Sequence, residues 1–314
     1  MPTPSAERIE GQPTENRDPV DFPLRVASID VGSNAIRFLA AEFSGPERWT
    51  QLEYERVPVR LGHSAFLTGE LTPSAMDRTV EAFRSFASHI ERLGIRRVRA
   101  VATSAVRESR NGPELVQRLR EASGIELRLI SGSEEARLVW HAVRTKIDFG
   151  DAKWLLVDLG GGSVEVSLAD QVGIMWSESH TMGSVRLLEE LSGADDAPAH
   201  FANLLAEYAA KLRIPHASKH WTPVQVIATG GNIETLARMA GQPLPTGEPP
   251  CRPADSPQAA DGTDPIYLVS RHRLEQAIDE LARLSYSQRE RVLAELTPRL
   301  AELARHAKES GIGL

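Results

Sequence analysis

The sequence is short of cysteine, of long apolar runs and of surplus positive charge. Cys251 is the only cysteine in 314 residues, which excludes an internal disulfide and any metal site built from cysteine thiolates. No stretch of some eighteen uncharged apolar residues occurs, so the sequence offers no membrane span and no membrane partner is expected. The first nineteen residues are polar and proline-rich. They lack the apolar centre of a secretory signal, and the cytoplasm is the expected compartment. With 36 Lys and Arg against 43 Asp and Glu, the net charge is -7. That argues against a broad footprint for nucleic acid, and none is expected as a partner; any polyanion must be met locally. The chain has no Gly-x-Ser-x-Gly elbow, no phosphate loop closing in Gly-Lys-Ser/Thr and no Gly-x-Gly-x-x-Gly. Serine hydrolases, P-loop enzymes and Rossmann dehydrogenases are thereby disfavoured.

What the chain does contain is one arrangement repeated. Residues 26–40 read V-A-S-I-D-V-G-S-N-A-I-R-F-L-A and residues 154–168 read W-L-L-V-D-L-G-G-G-S-V-E-V-S-L. In each, a short apolar strand ends at an aspartate, Asp30 or Asp158, turns through glycine and serine, and returns as a second strand. Glycines that tolerate positive φ let such a turn aim several backbone N–H groups at one anion, while the neighbouring carboxylate suits a hydrated divalent cation. The length exceeds the usual single-core size, so two lobes facing each other across a cleft are expected.

Along the chain, residues 1–23 read as a disordered tail. Two strands flank the Asp30 turn, and a third over 54–60 completes a meander. Residues 74–94 place Met76, Val80, Phe83, Phe86 and Ile90 at helical spacing with Gly94 as the stop. A strand near 98–103, a proline-opened helix over 111–122 and a strand over 125–130 give a parallel βαβ unit. A helix runs from Ser133 to Arg144, the Asp158 turn follows, and then come a strand at 174–179 and a helix at 182–191. Residues 224–238 read as strand, double glycine and helix. The proline-rich stretch 241–265 reads as a mobile surface loop, and the last fifty residues are helical in pattern.

The candidate chemistry sits on these turns. Gly160, Gly161, Gly162 and Ser163 after Asp158 cost more backbone entropy than a structural turn needs. Glu165 folds back toward Asp158 and is either a second carboxylate for a metal or a solvated strand residue. Asp30, Gly32, Ser33 and Asn34 form a weaker match. Arg37, between Ile36 and Phe38, calls for an anionic partner, a phosphate or a carboxylate. Helical spacing puts Glu135 on a face with Leu138, Val139 and Ala142, leaning inward, and Glu134 on a wetter side. From position alone, a first-turn carboxylate that complements the helix dipole is the simpler reading of Glu135. The alternative is a base that accepts a proton from water, favoured as an anion by the helix N-terminus and opposed by burial. Thr103, Ser104, Arg107 and Asn111 follow a parallel strand, where ligands tend to bind, although they would also serve as helix caps. Gly183 with Ser184, and Gly230 with Gly231, begin helices that suit an oxyanion. His216 and His220 have the spacing of a helical metal pair but lie between prolines, and a surface loop is the better reading.

Taken in order, residues 28–37, 102–112, 130–138, 157–165, 182–187 and 227–231 resemble the motifs of the Ppx/GppA phosphatase family, the exopolyphosphatases and guanosine pentaphosphate phosphohydrolases. The resemblance implies an α/β protein of two actin-like, ribonuclease H-like lobes with the active site in the cleft between them, lobe I over 24–131 and lobe II over 132–314. It implies hydrolytic removal of a terminal phosphate with magnesium. Carried over residue by residue, it makes Glu135 the general base and Asp158 and Glu165 the magnesium carboxylates. Asp30, Gly32, Ser33, Asn34, Gly160, Gly161, Gly162 and Ser163 become the phosphate clamp, and Arg37 and Arg107 its charge partners. Ser184, Gly230 and Gly231 join the phosphate-binding set. A homodimer is the family-level expectation. The chain resembles a short form, without the added helical C-terminal region of long members and with an expected loss of the outer strand of lobe II.

The leading expectation is an exopolyphosphatase acting on inorganic polyphosphate. Within the same chemistry, the alternative is hydrolysis of guanosine pentaphosphate. From another class, a sensor would bind polyphosphate or nucleotides without turnover, a reading the full set Glu135, Asp158 and Glu165 opposes. An actin-like ATPase or sugar kinase is disfavoured, since the motifs match the phosphatase branch throughout.

Overall fold

The computed structural model describes residues 21–192 except 47 and 64, together with 197–212, 225–243, 266–285 and 288. The expected tail up to residue 20, most of the expected loop over 241–265, both His216 and His220, and nearly all of the chain after 285 lie outside the described residues.

The first sheet grows from the Asp30 turn. β1 (Leu24–Val31) and β2 (Ile36–Phe43) form an antiparallel hairpin that β3 (Trp49–Val57) extends into a meander. After α1 (Ala65–Thr68), helix α2 (Pro73–Arg92) crosses over to β4 (Arg97–Ala102), which lies parallel to β1. α3 (Ser104–Glu108) and α4 (Gly112–Ser123) lead to β5 (Leu127–Leu129), parallel to β4, and the strand order is β3-β2-β1-β4-β5. The boundaries of α2 follow from local chemistry. Thr72 accepts a hydrogen bond from the Ala75 N–H, Pro73 opens the first turn, and Gly94 at φ +64 ends the run. One face of α2 buries Met76, Val80, Phe83 and Phe86, and Phe86 stacks on Phe38 with ring centroids 5.0 Å apart.

The second sheet repeats the plan. α5 (Gly132–Arg144) leaves β5 and packs on β7 and β8 of the next sheet. There β6 (Trp154–Leu159), β7 (Val164–Ala169) and β8 (Ile174–His180) form the meander. α6 (Ser184–Leu191) and α7 (Ala197–Lys211) precede β9 (Gln225–Thr229), which lies parallel to β6 and gives the order β8-β7-β6-β9. α8 (Gly231–Ala240), the short pair β10 (Gln242–Pro243) and β11 (Tyr267–Leu268), and α9 (Arg271–Arg283) follow. The core of this lobe is smaller, built on Trp140, Val143, Phe149, Leu156 and Ala169. Among the described residues no strand extends this sheet beyond β9.

The differences from expectation have local causes. β3 begins at Trp49 and stops at Val57, because Pro58 removes the next ladder donor. α1, α3 and α7 were not expected; α1 and α3 are too short to show a helical period. On α5 the buried positions are Gly132, Ala136, Trp140 and Val143, while Leu138 and Ala142 are exposed. The face assigned to Glu135 is therefore corrected: its carboxylate goes inward because the first turn of α5 faces the cleft.

Candidate active site

Three carboxylates from three elements converge between the sheets. Glu135 comes from the first turn of α5, Asp158 from the end of β6, and Glu165 from β7, cross-strand from Asp158. One carboxylate oxygen from each lies within 4.8 Å of the others. Glu165 is 1 % exposed, which settles its alternative reading: it is no solvated strand residue. Its Oε1 accepts a hydrogen bond from Ser179 Oγ at 2.7 Å, and its Oε2 is buried with no partner in hydrogen-bonding geometry. Glu135 Oε2 is likewise buried without a partner. Asp158 Oδ1 accepts from Thr229 Oγ1 at 2.6 Å. Two orphaned carboxylate oxygens facing a third acid form a donor set that fits a hard divalent cation held partly through water.

Crowding shows in the proton affinities. Burial pushes the Glu135 carboxyl up to about 8; Glu165, Asp158 and the more distant Asp30 add to the rise, and Arg107 opposes it. Burial also pushes Asp158 up, against the Thr229 hydrogen bond, with Asp30 raising it further and Arg37 opposing. Glu165 rises through burial, held back first by the Ser179 hydroxyl and then by that of Ser163, which lies near without reaching hydrogen-bonding geometry. Asp158 thus senses the charge of Asp30 across the cleft.

The two glycine turns hold several unspent donors. Gly32 N–H closes its turn on Ala35 O, and Gly160 N–H closes on Ser163 O. Among the described residues, the N–H groups of Ser33, Asn34, Gly161, Gly162 and Ser163 have no protein acceptor. The turns also touch. A Cβ on Gly161 would lie 3.0 Å from Ser33 Cβ, and one on Gly162 would lie 2.2 Å from Ser104 Oγ. Ser33 and Ser104 share a hydrogen bond of 3.2 Å between their hydroxyls. Gly230, at φ +111, starts α8 directly against Leu159 O, a position closed to any side chain.

Arg37 lies on the face of β2 opposite the buried Ile36 and Phe38, so it is half-exposed rather than buried. Its anionic partner is Asp30, with Nη1 2.9 Å from Oδ2. Arg107 donates to Ile130 O at 2.6 Å and faces Glu135 and Glu165 closely enough to oppose the rise in their pKa values. Asn111 is not in this group: its amide clasps the backbone of Leu71 at 2.8 and 2.9 Å. Ser184 also departs from expectation. Its N–H and Oγ both donate to Gly160 O, so they brace the glycine turn instead of facing an anion. Several contributors escaped the sequence reading. Ser179 is a strand residue with no motif of its own; Thr229 and Gly132 lie within the 227–231 and 130–138 motifs, which give no sign of the contacts these two make, and Gly132 is glycine because a Cβ there would lie 2.5 Å from Ser179.

No described helix is long and apolar enough to cross a membrane. The chain is similar to exopolyphosphatase 1 of Mycobacterium tuberculosis, 28% identical over 221 residues that cover 69% of this chain and 64% of the relative. It therefore spans about 64% of the length of that curated relative. It is also 35% identical to exopolyphosphatase 2 of the same organism over 179 residues, 54% of this chain and 56% of the relative. The crystal structure of an exopolyphosphatase from Cytophaga hutchinsonii superposes with a TM-score of 0.63 at 29% identity, covering 69% of this chain and 70% of that one. The Aquifex aeolicus Ppx/GppA family member shares the fold, with TM-score 0.63 and 22% identity over 87% of each chain. The model of the Ppx/GppA phosphatase family matches residues 44–305, and with that match over most of its length the chain belongs to the Ppx/GppA phosphatase family.

Proposed function

We propose that the protein is an exopolyphosphatase that releases the terminal phosphate of inorganic polyphosphate by hydrolysis, with magnesium as its cation. The reading rests above all on the convergence of Glu135, Asp158 and Glu165, two of them with buried unpartnered oxygens, beside glycine turns rich in unspent N–H donors. The names of the relatives support polyphosphate as the substrate. Lobe I comprises 24–131 and lobe II begins at 132, a boundary that the packing of α5 on β7 and β8 supports.

Asp158 and Glu165 would hold the cation, which would supply charge neutralisation to the phosphoanhydride. The amides of Ser33, Asn34, Gly161, Gly162 and Ser163 grip the terminal phosphoryl group, with Asp30 and Gly32 shaping the first turn and Gly230 and Gly231 lining the far side. Arg37 and Arg107 offset its negative charge. Glu135 accepts a proton from a water whose oxygen bonds to phosphorus as the bond to the bridging oxygen breaks. The shortened chain departs with that electron pair, and the proton stays on Glu135 until release. A carboxyl that titrates near 8 is a stronger base than a free glutamate, once it is ionised. Catalysis then comes mainly from positioning and charge neutralisation.

Phosphate release from polyphosphate and from guanosine pentaphosphate, each with magnesium, tests the reading. Faster turnover of polyphosphate, abolished by Glu135→Gln with binding retained, is the expected result. Turnover of the nucleotide alone would reassign the substrate, and binding by the wild type without turnover would make the chain a sensor.

A further inference from the structure

The start of α6 grips the carbonyl side of the glycine turn. Ser184 N–H donates to Gly160 O at 3.0 Å, and Val185 and Arg186 N–H donate to Gly161 O at 2.8 and 3.1 Å. The next carbonyl, Gly162 O, accepts from Arg186 Nε at 2.9 Å. In a trans peptide the C=O and the following N–H point in opposite directions. Holding these carbonyls toward α6 therefore turns the N–H groups of Gly161, Gly162 and Ser163 away from it, as successive donors for one anion. The grips on Gly160 and Gly161 include main-chain bonds open to any sequence. The grip on Gly162 belongs to one side chain.

That side chain reaches across the cleft. Arg186 Nη2 lies 2.5 Å from Glu108 Oε2 at the end of α3, and its guanidinium carbon sits 4.0 Å from the centre of the Phe66 ring on α1. The other oxygen of Glu108 is 3.6 Å from Arg107 Nη2. Arg186 is 16 % exposed and its bond to Gly162 O is part-buried, whereas Glu108 is 33 % exposed and leaves the ion pair open to water on one side.

We propose that Arg186 is a positioning residue for the phosphate clamp. It fixes the Gly162–Ser163 peptide in its donor orientation and, through Glu108, links that setting to Arg107 and to the approach of lobe I. The inference deepens the reading above and rests on the glycine turn being the phosphate site. An arginine serving only as an interlobe ion pair would affect folding and leave phosphate affinity alone.

The test uses the full chain, with inorganic phosphate in magnesium buffer as the probe and calorimetric titration as the readout, beside kcat and KM on polyphosphate. Arg186→Met should weaken phosphate binding at least tenfold and lower kcat by a similar factor. Arg186→Lys should restore only part, since an ammonium lacks the fork that reaches a carbonyl and a carboxylate together. Glu108→Gln should give an intermediate loss, and adding it to Arg186→Met should cost nothing more. Phosphate affinity within twofold of wild type in Arg186→Met, or full additivity of the two changes, would overturn the proposal. If Arg186→Met does not fold, amide exchange at residues 161–163 in Glu108→Gln decides: faster exchange supports the proposal and unchanged exchange overturns it. A wild type inactive on polyphosphate would remove the hydrolase reading, while phosphate affinity would still decide the role of Arg186.

Discussion

Replacing Glu135 with glutamine probes the charge cluster through folding alone, with no substrate required. Native Glu135 titrates near 8 against an ordinary value of 4.5, the rise coming first from burial and then from Glu165 and Asp158. Below pH 4.5 both folded and unfolded chains hold the proton, and this group contributes nothing. Between 4.5 and 8 only the folded chain holds it, so wild-type stability falls by about 1.4 kcal/mol per pH unit. Above 8 both forms are ionised and the whole cost, at most ~5 kcal/mol, is present. Water at the cleft mouth screens the cluster and brings the expected difference to roughly 2–3 kcal/mol. Glutamine carries no charge and escapes it. In magnesium-free buffer, Glu135→Gln should match wild type at pH 5 and exceed it at pH 8.5 by about 5–10 °C in Tm. Magnesium should close the gap by stabilising the ionised wild type. A difference between the two proteins that does not change with pH, or a glutamine variant less stable at pH 8.5, would refute the reasoning.

Magnesium affinity of the wild type should rise between pH 6.5 and 8.5 as a proton is displaced from the cluster, and calorimetry in buffers of different ionisation enthalpy should detect that proton. Thr229→Val removes the hydroxyl 2.6 Å from Asp158 Oδ1, and should raise the Asp158 pKa further and weaken magnesium about tenfold at pH 7 in the same titration. Gly162→Ala would put a methyl 2.2 Å from Ser104 Oγ and 2.4 Å from Phe66 Cζ; a loss of roughly 1–3 kcal/mol is expected by chemical denaturation, whereas Gly173→Ala, with open space around it, should stay near wild type. Phe86→Ala should cost about 3–5 kcal/mol in the same assay, because Phe38 and Phe83 pack directly on that ring.

The paired turns were legible in the sequence because an aspartate at a strand end and a glycine run are local signals, and both sheets followed from the period-two strands around them. The inward lean of Glu135 was legible in outcome but not in cause: helical spacing named Leu138 and Ala142 as its buried companions, whereas both are exposed. Arg37 illustrates a related limit. Its apolar neighbours suggested burial, yet strand alternation sends it to the opposite face, where Asp30 meets it. Ser184 was misread because a helix start looks the same in sequence whether its amides face an anion or a neighbouring turn. Ser179 lies outside every motif, and Thr229, Gly132 and Arg186 lie inside motifs that do not tell what each of them does; all four act through long-range contacts, which no window of the sequence contains.

The path of α5 bears on how such a site would empty. The helix departs from one half of the molecule but rests on the other, so Glu135 travels with Asp158 and Glu165, whereas Asp30, Arg37 and Arg107 belong to the opposite half. A hinge motion would divide the anion's holders into two groups and leave the acid trio intact. If the chain hydrolyses a phosphoanhydride as proposed, product would escape and the next turnover begin without reassembling the three carboxylates.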